Sequence, residues 1–278
     1  MSYSKNISFR LFIITMTTLF LFGCSNLPTP KPKVTPPEIS AKTTEIEWKE
    51  IVPGLSYAEI NEQQNNKFLQ LAKIDPTKFN FEIYENKTRE TAKTIKEIHT
   101  EQNSLLTFNG QFFTENFKPT GLLISNSEEK NKYSHADLLN GIFEVNNSGK
   151  AQLQKSSQDP LNQTINFAIQ SGPILIDKTG QPQIEKDTGL SAGRTAIGLD
   201  KNGAIIVIFL KQSIFNFDNE ISLYYFSHLL VNDPLLHSLG LNSVLNLDGG
   251  TSTGLMIDKN YYPEMEKVQN IIMVKSKE

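Results

Sequence analysis

Beyond residue 45 the chain alternates short apolar runs with polar or glycine-bearing breaks, and few runs keep a helical period. Runs at 54–60, 67–74, 79–84, 105–108, 121–125, 141–145, 166–169, 174–176, 195–199, 204–210, 243–247, 254–257 and 271–274 predict strands. Breaks such as Asn147-Ser148-Gly149 and Lys201-Asn202-Gly203 supply residues that tolerate positive φ, as tight turns require. Helical spacing is present at 88–101, where Ala92, Ile95 and His99 share a side, and at 219–231, with Asp233-Pro234 opening a short third helix. Many strands without sustained strand–helix alternation predict an α+β fold. The expectation is a single domain over 44–278, built of mixed, mostly antiparallel β-sheet with a few helices and no internal repeat.

The N-terminus has a different texture. Lys5 and Arg10 precede twelve apolar or hydroxyl-bearing residues, 11–22, too few to span a bilayer core, which takes about 20. They suit the centre of an export signal. The stretch ends in Leu21-Phe22-Gly23-Cys24, similar to the lipobox of bacterial lipoproteins apart from the bulky Phe22, and Cys24 is the chain's one cysteine. The reading is a signal peptide over 1–23, lipidation at Cys24 and anchorage of an exported protein to a bacterial membrane at the cell envelope. The plainer alternative is a stray thiol at the end of an ordinary cleaved signal. Residues 24–43 carry Pro28, Pro30, Pro32, Pro36 and Pro37, which favour an extended tether. Removing 1–23 takes the net charge from −3 to −5, and an acidic chain without a long basic run argues against nucleic acid as a partner.

Four glycine-bearing blocks carry the candidate chemistry: 108–113 (FNGQFF), 170–173 (QSGP), 192–198 (AGRTAIG) and 246–254 (NLDGGTSTG). Each has an ordinary structural reading. Asn109-Gly110 is a common hairpin turn, Gly172-Pro173 a turn, and Asp248-Gly249-Gly250 a tight turn with Asp bonding its own backbone. Consecutive glycines also let a ligand approach the main chain, whose N–H groups then form a concave anion site ringed by Asp248, Thr251 and Ser252. Arg194 is either a surface charge or, in its Gly-flanked setting, a planar grip for two phosphate oxygens.

Together and in this order, N-G-x-F-F, S-G-P-x-L, R-T-A-I-G and L-D-G-G-x-S resemble the phosphodiester glycosidase family, over roughly residues 105–274. That family includes a lysosomal enzyme that uncovers mannose 6-phosphate and bacterial exopolysaccharide-associated proteins. Gln111 departs from the pattern, standing where Gly or Asp is frequent, and 126–157 aligns by no motif. The resemblance implies hydrolysis of a sugar-1-phosphodiester, of N-acetylglucosamine type or from an envelope glycan, to free sugar and a phosphomonoester. Phosphate leaves readily, so the barrier is mainly charge: an oxocarbenium-like centre forms while negative charge grows on phosphate. Arg194 and Asp248 are then the expected catalytic groups. Asn109, Gly110, Gln170, Ser171, Gly172, Gly249, Gly250, Thr251 and Ser252 are the expected substrate contacts.

No cofactor is required by this chemistry, though a divalent cation such as calcium or magnesium fits beside Asp248 and a phosphate. No H-x-x-x-H spacing supports zinc. The blocks hold one carboxylate where glycosidases use two; Asp137, Glu144, Asp177 and Asp200 are the candidates for the second. His135 with Asp137 is the best alternative acid–base or metal pair, whereas His99, His228 and His237 read as structural. Two other classes stay open: a non-catalytic carbohydrate-binding lipoprotein, and a phosphodiesterase that cleaves the P–O bond.

Overall fold

The computed structural model describes residues 45–62, 67–157, 164–210 and 220–277. The expected signal, Cys24, the Pro-rich tether and residue 219 lie outside the described residues.

Three antiparallel sheets surround a common core. The largest runs β1 (Lys49–Val52), β2 (Leu55–Glu62), β3 (Lys67–Ile74), β13 (Ile205–Leu210), β12 (Arg194–Asp200), β14 (Leu241–Asn246) and β11 (Ile174–Ile176) from edge to edge. A second runs β7 (Glu128–Asn131), β6 (Leu123–Ser125), β10 (Ile165–Ser171), β8 (Gly141–Asn146) and β9 (Ala151–Lys155). The third runs β16 (Asn260–Tyr262), β15 (Leu255–Ile257), β5 (Leu106–Asn109), β17 (Asn270–Ser276) and β4 (Phe79–Glu85). This bears out the expectation of mostly antiparallel sheet with few helices.

Alternation along the strands explains the layering. In β13 Ile205, Val207 and Phe209 enter the common core, while Ile206, Ile208 and Leu210 face the other way, onto the helical layer. Both faces are covered, so the run is continuously apolar. Phe81 of β4 and Phe167 of β10, with ring centroids 5.6 Å apart, tie the third sheet to the second. Burying each such ring contributes about 2–3 kcal/mol.

The helices are shorter than the periodicity suggested. Helix α1 is Ile95–Glu101, not 88–101, because Thr94 caps it reciprocally with Glu97. Ahead of that cap, Asn86 holds the preceding turn through the N–H and carbonyl of Lys93. Helix α2 (Leu223–Asn232) begins after Ser222, and α3 (Pro234–His237) is capped by Asp233 through the Leu235 and Leu236 N–H groups.

Sequence reading missed β1, β7, β9 and β16, and every one is a sheet edge. Edge strands need only one buried face and often carry charge against further pairing. Glu128-Glu129-Lys130-Asn131 has no apolar signal at all.

Candidate active site

All four blocks meet where the ends of the three sheets converge. From the first block, Asn109 ends β5 fully buried and takes hold of two others. Its Nδ2 donates to the Asp248 carbonyl at 2.7 Å, and its Oδ1 accepts from the Thr195 hydroxyl at 2.8 Å and the Gly254 N–H at 3.2 Å. The Asp248 N–H returns a bond to the Gly110 carbonyl at 3.1 Å. Leu247 N–H donates to Thr195 O, and Gly250 N–H to Gly193 O, fastening the fourth block to the third. Asn246 joins the second block, donating its side chain to Gly172 O at 2.9 Å and its N–H to Pro173 O at 3.1 Å.

Asn109-Gly110 is therefore not the hairpin turn its composition suggested. Neither residue has positive φ. Glycine is required at 110 for proximity, since a Cβ there would lie 1.9 Å from Asn270 Oδ1. That same oxygen accepts from the Gln111 N–H, so Asn270 braces the strand end. Gly249 is constrained likewise, its missing Cβ making room for Gly193 O at 2.6 Å.

Asp248 is the chemically poised group. It is half-buried, and its Oδ1 accepts from the Gly249 N–H at 2.9 Å. Burial pushes its carboxyl up to about 6, the Ser252 hydroxyl and Gly249 N–H pull it down, and the Glu266 carboxylate adds to the rise. Glu266 itself is half-exposed, 3.9 Å from Arg89, and its N–H donates to Thr251 O. Sequence reasoning did not single it out. It lies eighteen residues after Asp248 in an irregular segment, and only the fold returns that segment to the fourth block.

Arg194 opens β12 with its guanidinium half-buried on the side of α2. Its Nε donates to Ile221 O at 2.9 Å and Nη2 to Leu190 O at 2.7 Å. Burial lowers its pKa and Glu220 opposes that shift, so the cation persists. Of the five guanidinium N–H groups, three have no partner among the described residues. Arg194 and Asp248 share no side-chain bond; the Gly193–Gly250 main-chain contact brings their segments together.

Several expected substrate contacts are engaged within the chain. The Gly249 N–H is taken by Asp248 and the Gly250 N–H by Gly193, so neither faces a ligand as the glycine pair suggested. The reason is that the turn closes on its own aspartate. Gln170 is fully buried with its amide saturated: Oε1 accepts from Leu122 and Ser134 N–H, and Nε2 donates to Ser134 and Leu139 carbonyls. It clamps the 134–139 loop. Hydrogen-bonding capacity stays open elsewhere in the blocks, on Gln111 Oε1, Ser171 Oγ, Asn246 Oδ1 and Thr253 Oγ1, four of the nine such buried atoms among the described residues.

Three candidates for the second carboxylate have other tasks. Asp200 caps its own turn and pairs with Lys73 at 3.3 Å. Asp177 caps another turn through Thr179. Glu144 is buried on β8 beside Gln152, its carboxyl raised to about 7 by desolvation. Asp137 lines a cleft that adjoins Pro173, and Asp177 lines a smaller one beside it. No three His, Cys, Asp or Glu side chains gather into a metal-holding group among the described residues.

Comparisons with known proteins identify the family and the fold. Residues 102–275 match the family described as phosphodiester glycosidase. An uncharacterized Escherichia coli protein, YigE, is 25% identical over 164 residues, covering 56% of this chain and 63% of its own. Among solved structures, a hypothetical protein from Synechocystis superposes with a TM-score of 0.63 at 16% identity, over 84% of this chain and 64% of that one. The chain thus spans a little under two thirds of both. The catalytic domain of zebrafish N-acetylglucosamine-1-phosphodiester alpha-N-acetylglucosaminidase, auto-inhibited by its pro-peptide, gives 0.62 at 14% identity, over 82% of this chain and 86% of that domain. At such identities the likeness to the solved structures is one of fold.

Proposed function

We propose that this chain, which belongs to the phosphodiester glycosidase family, hydrolyses the bond between an anomeric carbon and a phosphate oxygen in sugar-1-phosphodiesters of the cell envelope. The observation that carries the reading is the Asp248 loop. A half-buried carboxylate poised at about 6 is held rigidly by Asn109, Gly110 and Gly193, with Arg194 and Glu266 on adjoining segments.

The roles follow from charge. Arg194, three of whose N–H groups have no partner among the described residues, takes the phosphate oxygens and stabilises the negative charge that grows as the anomeric C–O bond breaks. The bonding electrons leave with the phosphomonoester. A water oxygen bonds to the anomeric carbon and its proton passes to Asp248, which is ionised at neutral pH. Glu266 supplies the second negative charge beside the oxocarbenium-like centre, the part for which the sequence offered no ranked candidate. Asp248 is the residue that would hold a calcium or magnesium ion, which would supply positive charge against the phosphate; no step here depends on one. The sugar is of N-acetylglucosamine type, the substrate that the zebrafish relative's name carries, or an envelope glycan. Export and a lipid at Cys24 would bring the enzyme to that substrate.

The test is hydrolysis of methyl N-acetylglucosamine-1-phosphate by the wild type, Arg194→Ala and Asp248→Asn, with products identified by mass spectrometry. Free sugar plus methyl phosphate, absent with both folded variants, is the expected outcome. Release of sugar 1-phosphate would instead establish P–O cleavage. Binding without turnover would make the chain a carbohydrate-binding protein.

A further inference from the structure

A cleft of about 470 Å³ is lined in part by Pro173, whose block is bonded to the Asp248 block. Its walls come from the loop that Gln170 clamps, from the end of β9 and from the segment after β11. Two observations connect it to the candidate active site. Pro173 lines the cleft while its carbonyl accepts from Asn246 N–H, two residues before Asp248. A 3.1 Å hydrogen bond and two residues of chain bound the distance from the Pro173 carbonyl to the Asp248 main chain at roughly 10 Å. The opposite wall is fixed to the same block, since Asn140 Oδ1 accepts from Ile174 N–H at 2.8 Å.

The lining has the chemistry of a hydroxylated anion site. Tyr133 and His135 meet edge to face with ring centroids 4.9 Å apart, and Tyr133 is fixed by donating to Ser156 O at 2.6 Å. Asp137 and Lys155 are exposed and form no close ion pair or side-chain hydrogen bond with any described residue, the Lys155 charge acting only at longer range on Asp177. The Lys155 ammonium can take a phosphate oxygen, while Asp137 and the Asn140 amide can take hydroxyls. The volume falls within the range of small-ligand sites.

We infer that this cleft is a second substrate subsite, which binds the next phosphate-bearing sugar on the leaving-group side of the scissile bond, so that the preferred substrate is a sugar-phosphate polymer rather than an isolated diester. The inference rests on the glycosidase reading for its orientation and on the cleft for its chemistry. Lys155 holds the second phosphate. His135 and Asp137 face the sugar that carries it, and Gln170 is a positioning residue that keeps their loop in place through main-chain bonds alone.

The experiment titrates the full-length chain calorimetrically with two synthetic probes. One is methyl N-acetylglucosamine-1-phosphate, with a single phosphodiester; the other contains two N-acetylglucosamine-1-phosphate repeats. Turnover of each is followed in parallel. The longer probe is expected to bind about tenfold more tightly, through a charge-assisted contact at Lys155. Lys155→Glu should abolish that advantage and leave the affinity for the shorter probe unchanged. Because Lys155 is exposed, the variant should keep the wild-type melting temperature, and His135→Ala with Asp137→Asn should narrow the same gap independently. Cleavage of the short probe with no advantage for the longer one overturns the subsite alone. So does an advantage that survives both sets of substitutions. A Lys155-dependent advantage without turnover keeps the subsite and overturns the glycosidase reading, whereas failure of both probes to bind overturns both.

Discussion

Replacing Asp248 by Asn should remove catalysis and make the protein more stable, by an amount set by pH. Burial raises the Asp248 carboxyl from the ordinary 3.8 to about 6. The folded state therefore holds this proton more tightly than the unfolded chain does. Stability from that preference is complete below the unfolded value and is lost as pH rises through about 6. The wild type thus gives up about 3 kcal/mol from this group between about pH 4 and pH 7, from roughly two pK units at 1.36 kcal/mol each. An Asn side chain is nearly isosteric, stays neutral, and can still accept from the Gly249 N–H and bond with Ser252. D248N should match the wild type near pH 4 and exceed it by about 3 kcal/mol near pH 8. For a domain of this size that corresponds to roughly 6–12 °C in melting temperature. Glu144, whose carboxyl is also raised, to about 7, imposes a drift in the same direction on both proteins and cancels in the comparison. Paired calorimetric melts at the two pH values measure the effect. A variant that is less stable near pH 8, or equally stabilised at both values, would refute the claim that Asp248 is ionised at a desolvation cost.

Arg194→Lys should keep the fold but lose planar two-point contact with phosphate and one or both carbonyl anchors, lowering kcat/KM roughly 10²–10³-fold; a loss within about threefold would reassign the guanidinium. Asn109→Ala strands the Thr195 hydroxyl, the Gly254 N–H and the Asp248 carbonyl together, so urea denaturation should show a loss of about 3 kcal/mol, and a loss under about 1 would mean that the clamp is redundant. Glu266→Gln removes a negative charge that raises the Asp248 carboxyl, and the acid limb of the kcat/KM profile should therefore move to lower pH. Movement to higher pH, or none, would separate Glu266 from the reaction.

What the sequence disclosed depended on how each residue's task is encoded. Strands with apolar residues on continuous or alternating positions announce themselves whether interior or at an edge, and 67–74 and 174–176 coincide with interior β3 and edge strand β11. The edge strands β1, β7, β9 and β16 did not, because exposed positions dilute their hydrophobic period with polar and charged residues. Helix α1 was overextended since Ala92 continues its apolar spacing, whereas a capping box at Thr94 sets the boundary. The four blocks were legible as motifs, yet their division of labour was not. Gln170 and Asn109 read as ligand-facing amides, and their hydrogen bonds instead hold main chain together. Glu266 was invisible, because nothing in local sequence tells which distant loop returns to Asp248.

The Gln170 clamp has a consequence for how this scaffold can diversify. Its four bonds reach only peptide groups of 122, 134 and 139, and the side chains of His135, Ala136 and Asp137 add no hydrogen bond to it, His135 only resting its ring on Tyr133. Those three positions form a rewritable patch. A library randomised there should retain folding almost throughout, so whatever the adjoining cleft binds can change, or be selected at the bench, without passing through unfolded intermediates.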